Sequence, residues 1–169
     1  MEYWGIFIPF AEYASTIKRK ETFIELLIPL CLAGAFFYIT FNNHFPQNFS
    51  VDRYVAVLVN SGAILIGFLI NLLLLLNVFY SEKPNLWNQI IDRTIAGVKV
   101  TLKRYISTLV LVALLLQLLN ILFSVLGLLF DRYCLISLVL LTIAFYVFLV
   151  SIFILVRMGW LIYEIFSKT

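Results

Sequence analysis

Charged residues fall in clusters along this chain, and the stretches between clusters are almost wholly apolar. Residues 24–43 hold one charge, Glu25, while residues 54–81, 105–130 and 133–156 hold none; the runs are 20, 28, 26 and 24 residues long. A helix needs about 20 apolar residues to cross roughly 30 Å of hydrocarbon, so each run predicts a membrane-spanning helix. Lipid offers no partner to an unpaired backbone group, which leaves helices or a closed barrel. The five consecutive leucines Leu72 to Leu76 break the polar–apolar alternation that a barrel strand requires. The pattern therefore predicts an all-α fold, a four-helix transmembrane bundle with an N-terminal interfacial helix and an amphipathic cytoplasmic loop helix. Residues 1–21 form the interfacial segment and 22–169 the membrane domain. The spans lie at about 24–43, 54–80, 105–130 and 133–156, the last extending to 166.

Composition removes the competing classes. Hydrophobic residues make up 63% of the 169-residue chain, charged residues 12%, and the mean hydropathy is +1.05. A soluble domain carries about 25% charged residues, so soluble, disordered and disulfide-stapled secreted classes are excluded. The distribution of basic residues sets an orientation. Lys18, Arg19, Lys20, Lys83, Arg93, Lys99, Lys103, Arg104, Arg157 and Lys168 lie on one side of the spans, and only Arg53 and Arg132 on the other. The positive-inside rule places the ten in the cytoplasm. The expected topology is multi-pass, with both termini cytoplasmic. The net charge of +3 is then a topology signal, and no direct nucleic-acid partner is expected. Ala33-Gly34-Ala35 looks like a signal-peptide cleavage site, but the apolar run continues through Thr40, so an uncleaved first span is expected.

The segments outside the spans suggest contacts with lipid or partners. Residues 1–21 carry Tyr3, Trp4, Phe7, Phe10 and Tyr13 and end in Lys18-Arg19-Lys20. Rings favour the headgroup level and lysines favour anionic lipid, so Trp4, Phe7, Lys18, Arg19 and Lys20 read as an interfacial anchor; the other reading is rings packed under the bundle. The first external loop holds His44 and the sequon Asn48-Phe49-Ser50; the second, at Asp131-Arg132, is a tight turn that makes spans three and four antiparallel neighbours. Between Glu82 and Arg104, Trp87, Ile91, Ile95, Val98 and Leu102 fall on one helical stripe, which predicts an amphipathic helix. Trp87, Arg93, Lys99 and Lys103 are its candidate lipid or partner contacts. It is either an inward-signalling element or a helix packed permanently between spans two and three.

Polar residues inside a membrane are costly and mark candidate sites. Asn60, Gly67 and Asn71 share one face of span two, and Gln117, Asn120, Ser124 and Gly127 share one face of span three. The spans run antiparallel, so the two stripes are expected to meet as an oligomer or pore seam. Interhelical hydrogen bonding and the lining of a pore between copies both fit such a seam. Glu25 reads as an interface salt bridge with Lys18, Arg19 and Lys20 or with Lys103 and Arg104 of span three, which lie close to it in depth. Cys31 and Cys134 differ too much in depth for a disulfide. No metal-ligand cluster, nucleophile–base pair or phosphate loop is present, so neither an enzyme nor a cofactor is expected.

The stretch Ile64-Leu-Ile-Gly-Phe-Leu-Ile-Asn71, the charged loop to Arg104, the four short spans and the aromatic N-terminal segment together resemble the four-span membrane subunit of the Kiwa bacterial anti-phage defence system. The resemblance implies a homo-oligomer, a tetramer in that family. It also implies a sensor of envelope disturbance that works with a cytosolic protein partner. It implies no role for any individual residue. It further implies a location in the bacterial inner (plasma) membrane. The alternative that the residues alone offer is a small pore-forming or holin-like channel subunit that permeabilises the membrane.

Overall fold

The computed structural model describes residues 8–42, 51–82, 84–95, 98–130 and 135–166. Trp4, Phe7, His44, the Asn48 sequon, the Asp131-Arg132 turn, Cys134 and Lys168 lie outside the described residues. Helix α1 is Ile8–Thr16. The first long helix runs continuously over Arg19–Asn42, as α2 (Arg19–Thr22), a π-helical segment Phe23–Leu27, and α3 (Ile28–Asn42). Then follow α4 (Val51–Glu82), the short α5 (Pro84–Trp87), strands β1 (Ile90–Ile95) and β2 (Val98–Thr101), α6 (Leu102–Leu129) and α7 (Leu135–Phe166). About nine-tenths of the described chain is helical, and four helices are long and apolar enough to cross a membrane. This is the build of a multi-pass membrane protein.

The π-helical segment has a cause four residues downstream. A proline ring inside a helix clashes with the carbonyl of residue i−4 and supplies no N–H. For Pro29 that carbonyl belongs to Glu25. The wider turn, in which the Ile28 N–H reaches back to the Phe23 carbonyl, takes up the misfit, and Glu25 sits in the middle of it.

The long helices pack in the order α3–α7–α6–α4, with α6 and α7 forming the most extensive pair. The core between them is built from Leu69 and Leu76 of α4, Ile106, Leu109 and Ala113 of α6, and Ile154 and Met158 of α7. At the end remote from the N-terminal helix, Phe36 stacks on Tyr54 at 5.0 Å and leans on Phe145 at 5.3 Å. Those rings tie α3, α4 and α7 together.

The other end departs from the amphipathic helix that the sequence predicts between Glu82 and Arg104. That segment is a single helical turn followed by an antiparallel hairpin, with Thr94 opposite Lys99, Ile95 opposite Val98, and an irregularity before Thr94. The expected loop helix is corrected accordingly, while the fold remains about nine-tenths helical. Ile90, Ile91, Thr94, Ile95, Val98, Val100 and Thr101 are β-branched; such side chains suit a pleated surface and lose rotamer freedom in a helix. Thr101 then caps α6, its side chain accepting the Arg104 N–H at 3.4 Å, as a helix start favours. Helix α1 lies against α6 and β1, with Tyr13 and Thr16 buried and Phe10 packed on the core. Of the two readings of the N-terminal segment, α1 follows the one in which rings pack under the bundle.

Candidate functional site: a charged cluster at the hairpin end

Four charged side chains from four elements converge at the hairpin end: Glu21 of α2, Glu25 of the π-helical segment, Arg93 of β1 and Arg157 of α7. Glu21 is the hub. Its carboxylate accepts both terminal guanidinium nitrogens of Arg93, one at 2.8 Å, in a bidentate pair. It also accepts Arg157 Nη1 at 2.8 Å and the backbone N–H of Lys18 at 2.8 Å. Arg93 Nη1 reaches the Thr16 carbonyl at 2.7 Å, anchoring the hairpin to the end of α1. Glu25, only 2% exposed, accepts the Tyr13 hydroxyl at 2.6 Å and forms an ion pair with Arg157 Nε at 2.9 Å. That N–H is not aimed at the oxygen, so the contact is ionic without being an aligned hydrogen bond.

Two tyrosine rings frame the cluster. Arg93 lies 5.4 Å and Arg157 5.7 Å from the centre of the Tyr105 ring, and Arg157 lies 5.5 Å from that of Tyr13. Guanidinium groups over aromatic faces are attracted by the ring quadrupole, more strongly when desolvated. Burial, and then the hydrogen bond to Glu25, pushes the Tyr13 hydroxyl well above the ordinary tyrosine range, so Tyr13 is a fixed donor. With both carboxylates ionised the cluster carries two charges of each sign. Removing one member of a buried pair costs roughly 3–5 kcal/mol, because the partner charge is stranded.

A second contact pins α1 to α6. Glu12 accepts Arg104 Nη2 and the Thr108 hydroxyl, the latter at 2.8 Å. The Arg104 hydrogen bond holds the Glu12 carboxyl below the ordinary range, against the opposing effect of burial. Beside it, Tyr80 contacts Ser107 at 3.3 Å, packs edge-on to Trp87 at 4.9 Å, and lies under Lys103 Nζ at 4.7 Å. A groove of about 290 Å³, walled by Ile24, Phe153, Val156 and Trp160, opens onto Glu21, Glu25 and Arg157. Among the described residues, no group of three or more His, Cys, Asp or Glu could hold a metal ion.

No family model, curated protein or solved structure matches this chain. The site is therefore read from its own geometry.

The polar seam differs from its sequence reading in its partners. Gln117, Asn120 and Ser124 are fully buried on one face of α6, but they do not meet Asn60 and Asn71. Gln117 donates to Ser151 of α7, and Asn120 Nδ2 to the Leu58 carbonyl of α4 at 3.3 Å. Asn120 also accepts Ser124, at 3.5 Å. The α4 residue facing them is Gly62, where a Cβ would stand 2.9 Å from Asn120 Nδ2 and 3.2 Å from Gln117 Oε1. Asn60, Gly67 and Asn71 are exposed on the opposite face of α4. The side of α4 is set by its apolar residues: Val55, Leu58, Leu69 and Leu76 are buried, and burying that stripe turns the asparagines outward.

The expected lipid contacts also divide. Trp87 is buried against Tyr80, and Arg93 is mostly covered within the cluster, its side chain 13% exposed, so neither is presented as a surface contact. Lys99 and Lys103 are exposed, as are Lys18, Arg19 and Lys20. Arg19 and Lys20 flank an apolar groove that continues along Phe23, Ile24 and Leu27. Sequence reasoning passed over Glu21, Arg157, Tyr13, Glu12 and Gly62 as site residues. Arg157 had a signal, as a lone charge in the run from Tyr133 to Tyr163; the pairing of Glu21 with Arg93, 72 positions apart, had none.

Proposed function

We propose that this is a non-enzymatic multi-pass membrane protein of a bacterial anti-phage defence system. It works as a homo-oligomer, a tetramer by the resemblance to the Kiwa membrane subunit, senses disturbance of the inner membrane and signals to a cytosolic partner. The observation that carries the reading is the position of Glu21. One carboxylate links the hairpin, through Arg93, to the first and last long helices, through its own backbone and Arg157. A change in the relative tilt of those helices moves one side of the pair against the other and pulls on β1. The hairpin is the part of the chain outside the long helices best placed to pass that movement on, and Lys99 and Lys103 leave a basic surface on and beside it. Parting this ionic junction, joined in the structure, would give the second arrangement that a switch needs. The concentration of basic residues at this end supports a cytoplasmic orientation.

The test is phage challenge with parallel purification in mild detergent. Glu21→Gln and Arg93→Gln should insert normally, yet lose both protection against phage and the co-purifying soluble partner. Protection retained in both variants would reject the junction as the signalling element.

A pore-forming subunit is the second reading, and the exposed Asn60 and Asn71 favour it. In a ring of copies that face would line a central channel. Ion flux across vesicles containing the purified protein, abolished by Asn71→Leu, would support it over the sensor.

A further inference from the structure

We infer that the outward face of α4, marked by Asn60, Gly67 and Asn71, is the surface on which a second copy of this chain docks within the membrane. The inference rests on reading the protein as a homo-oligomer and names the surface involved.

At 100° per residue, Asn60, Gly67, Asn71 and Val78 lie within about 40° of one line along α4. All four are exposed, while Leu58, Gly62, Leu69 and Leu76, on the opposite side, are buried in the chain. The face thus lies opposite the packing of α4 against α6. Both asparagines fall in the 28-residue run without charge, at membrane depth. A carboxamide has two N–H donors and an acceptor oxygen. Among the described residues neither side chain has a hydrogen-bond partner, and hydrocarbon supplies none.

A second copy is the occupant that satisfies both at once. Copies inserted in the same sense place the same residue at the same depth. Asn60 then meets Asn60, and Asn71 meets Asn71 about 16 Å further along. A carboxamide is both donor and acceptor, so it pairs with itself; an unrelated helix would have to reproduce depth and spacing together. Gly67 lies between the two. A Cβ there would meet nothing within 4 Å of its own chain, which leaves the backbone bare for close approach, as membrane helix pairs use small residues. Gly62 is filled from within by Asn120, so the two glycines of this helix serve opposite sides. The surface continues through Ile64 into a cleft of about 570 Å³ between α4 and α7, walled by Leu65, Phe148 and Ile152, which extends the apolar area available to a partner.

The full chain with Cys31→Ser and Cys134→Ser is the background for the test. Gly67→Cys, or Ala63→Cys beside it should the thiol at 67 wedge the copies apart, is compared in membranes with Leu118→Cys, an exposed position on α6. Native mass is measured in mild detergent. The expected result is cross-linked dimers from the α4 positions and not from Leu118, with association about tenfold weaker in Asn60→Leu/Asn71→Leu. An oligomer that cross-links through Leu118 and not through α4, or that keeps its strength in the double variant, overturns this surface and leaves the oligomer standing. A monomeric parent protein overturns both.

Discussion

Single residues decide how closely the helices approach. Gly62 is the clearest case, because Asn120 and Gln117 occupy the space a side chain would need. Gly62→Val should destabilise the protein by about 1–3 kcal/mol through overpacking, read as a lower unfolding temperature in detergent, whereas Gly67→Ala should leave the fold of one copy intact. Equal loss at both positions would contradict the assignment of their faces. Gln117→Leu removes the bond to Ser151 and should cost about 0.6 kcal/mol, up to about 2, with no effect on assembly, since both partners belong to one chain. Glu12 gives a pH dependence. Its folded pKa is depressed, so its contribution is complete above the unfolded value, near 4.3, and is lost as pH falls through the folded one. Docking of α1, followed by fluorescence from a label at Ser15→Cys, should hold at neutral pH and weaken in the acid range below pH ~4. Glu12→Gln should reduce that pH dependence.

At the scale of elements, the four long helices were legible because charge-free runs longer than the hydrocarbon thickness have few alternatives; their ends were less so, the first helix starting at Arg19, ahead of the apolar run. Glu82 to Arg104 was misread for an equally physical reason. Trp87, Ile91, Ile95 and Val98 satisfy a helical period, but the segment is dense in β-branched residues and pairs as strands once α1 and α6 cover one side. The long helices' outer faces were not legible, since leucine and isoleucine are found on both sides of a membrane helix. Leu58 and Asn60 exchange roles from what polarity suggests: the leucine carbonyl takes the buried hydrogen bond, and the asparagine faces out. The junction was invisible for a related reason, as charges near span ends are common and their pairing is set by packing alone. The hairpin gives its own prediction. Replacing Ile95, which faces Val98 in the hydrogen-bonded pair beside the turn, by proline removes a strand donor and should release the hairpin to proteolysis while the long helices stay protected.

At the scale of the molecule, the charge asymmetry predicts where the two ends lie. In the cysteine-free background, Ser50→Cys should react with a membrane-impermeant reagent on intact cells, and Lys168→Cys only after permeabilisation; labelling of both or neither on intact cells contradicts the orientation. The central claim is that the junction at Glu21 couples the long helices to the hairpin. The most direct measurement is the distance between labels at Val98→Cys on the hairpin and Tyr163→Cys near the end of α7, both exposed positions. It is taken in vesicles at rest and under osmotic stretch. The account predicts a narrow distribution at rest that shifts or broadens under stretch, and a distribution already broad at rest in Arg93→Gln. One unchanging distribution at rest, under stretch and in the variant would contradict it.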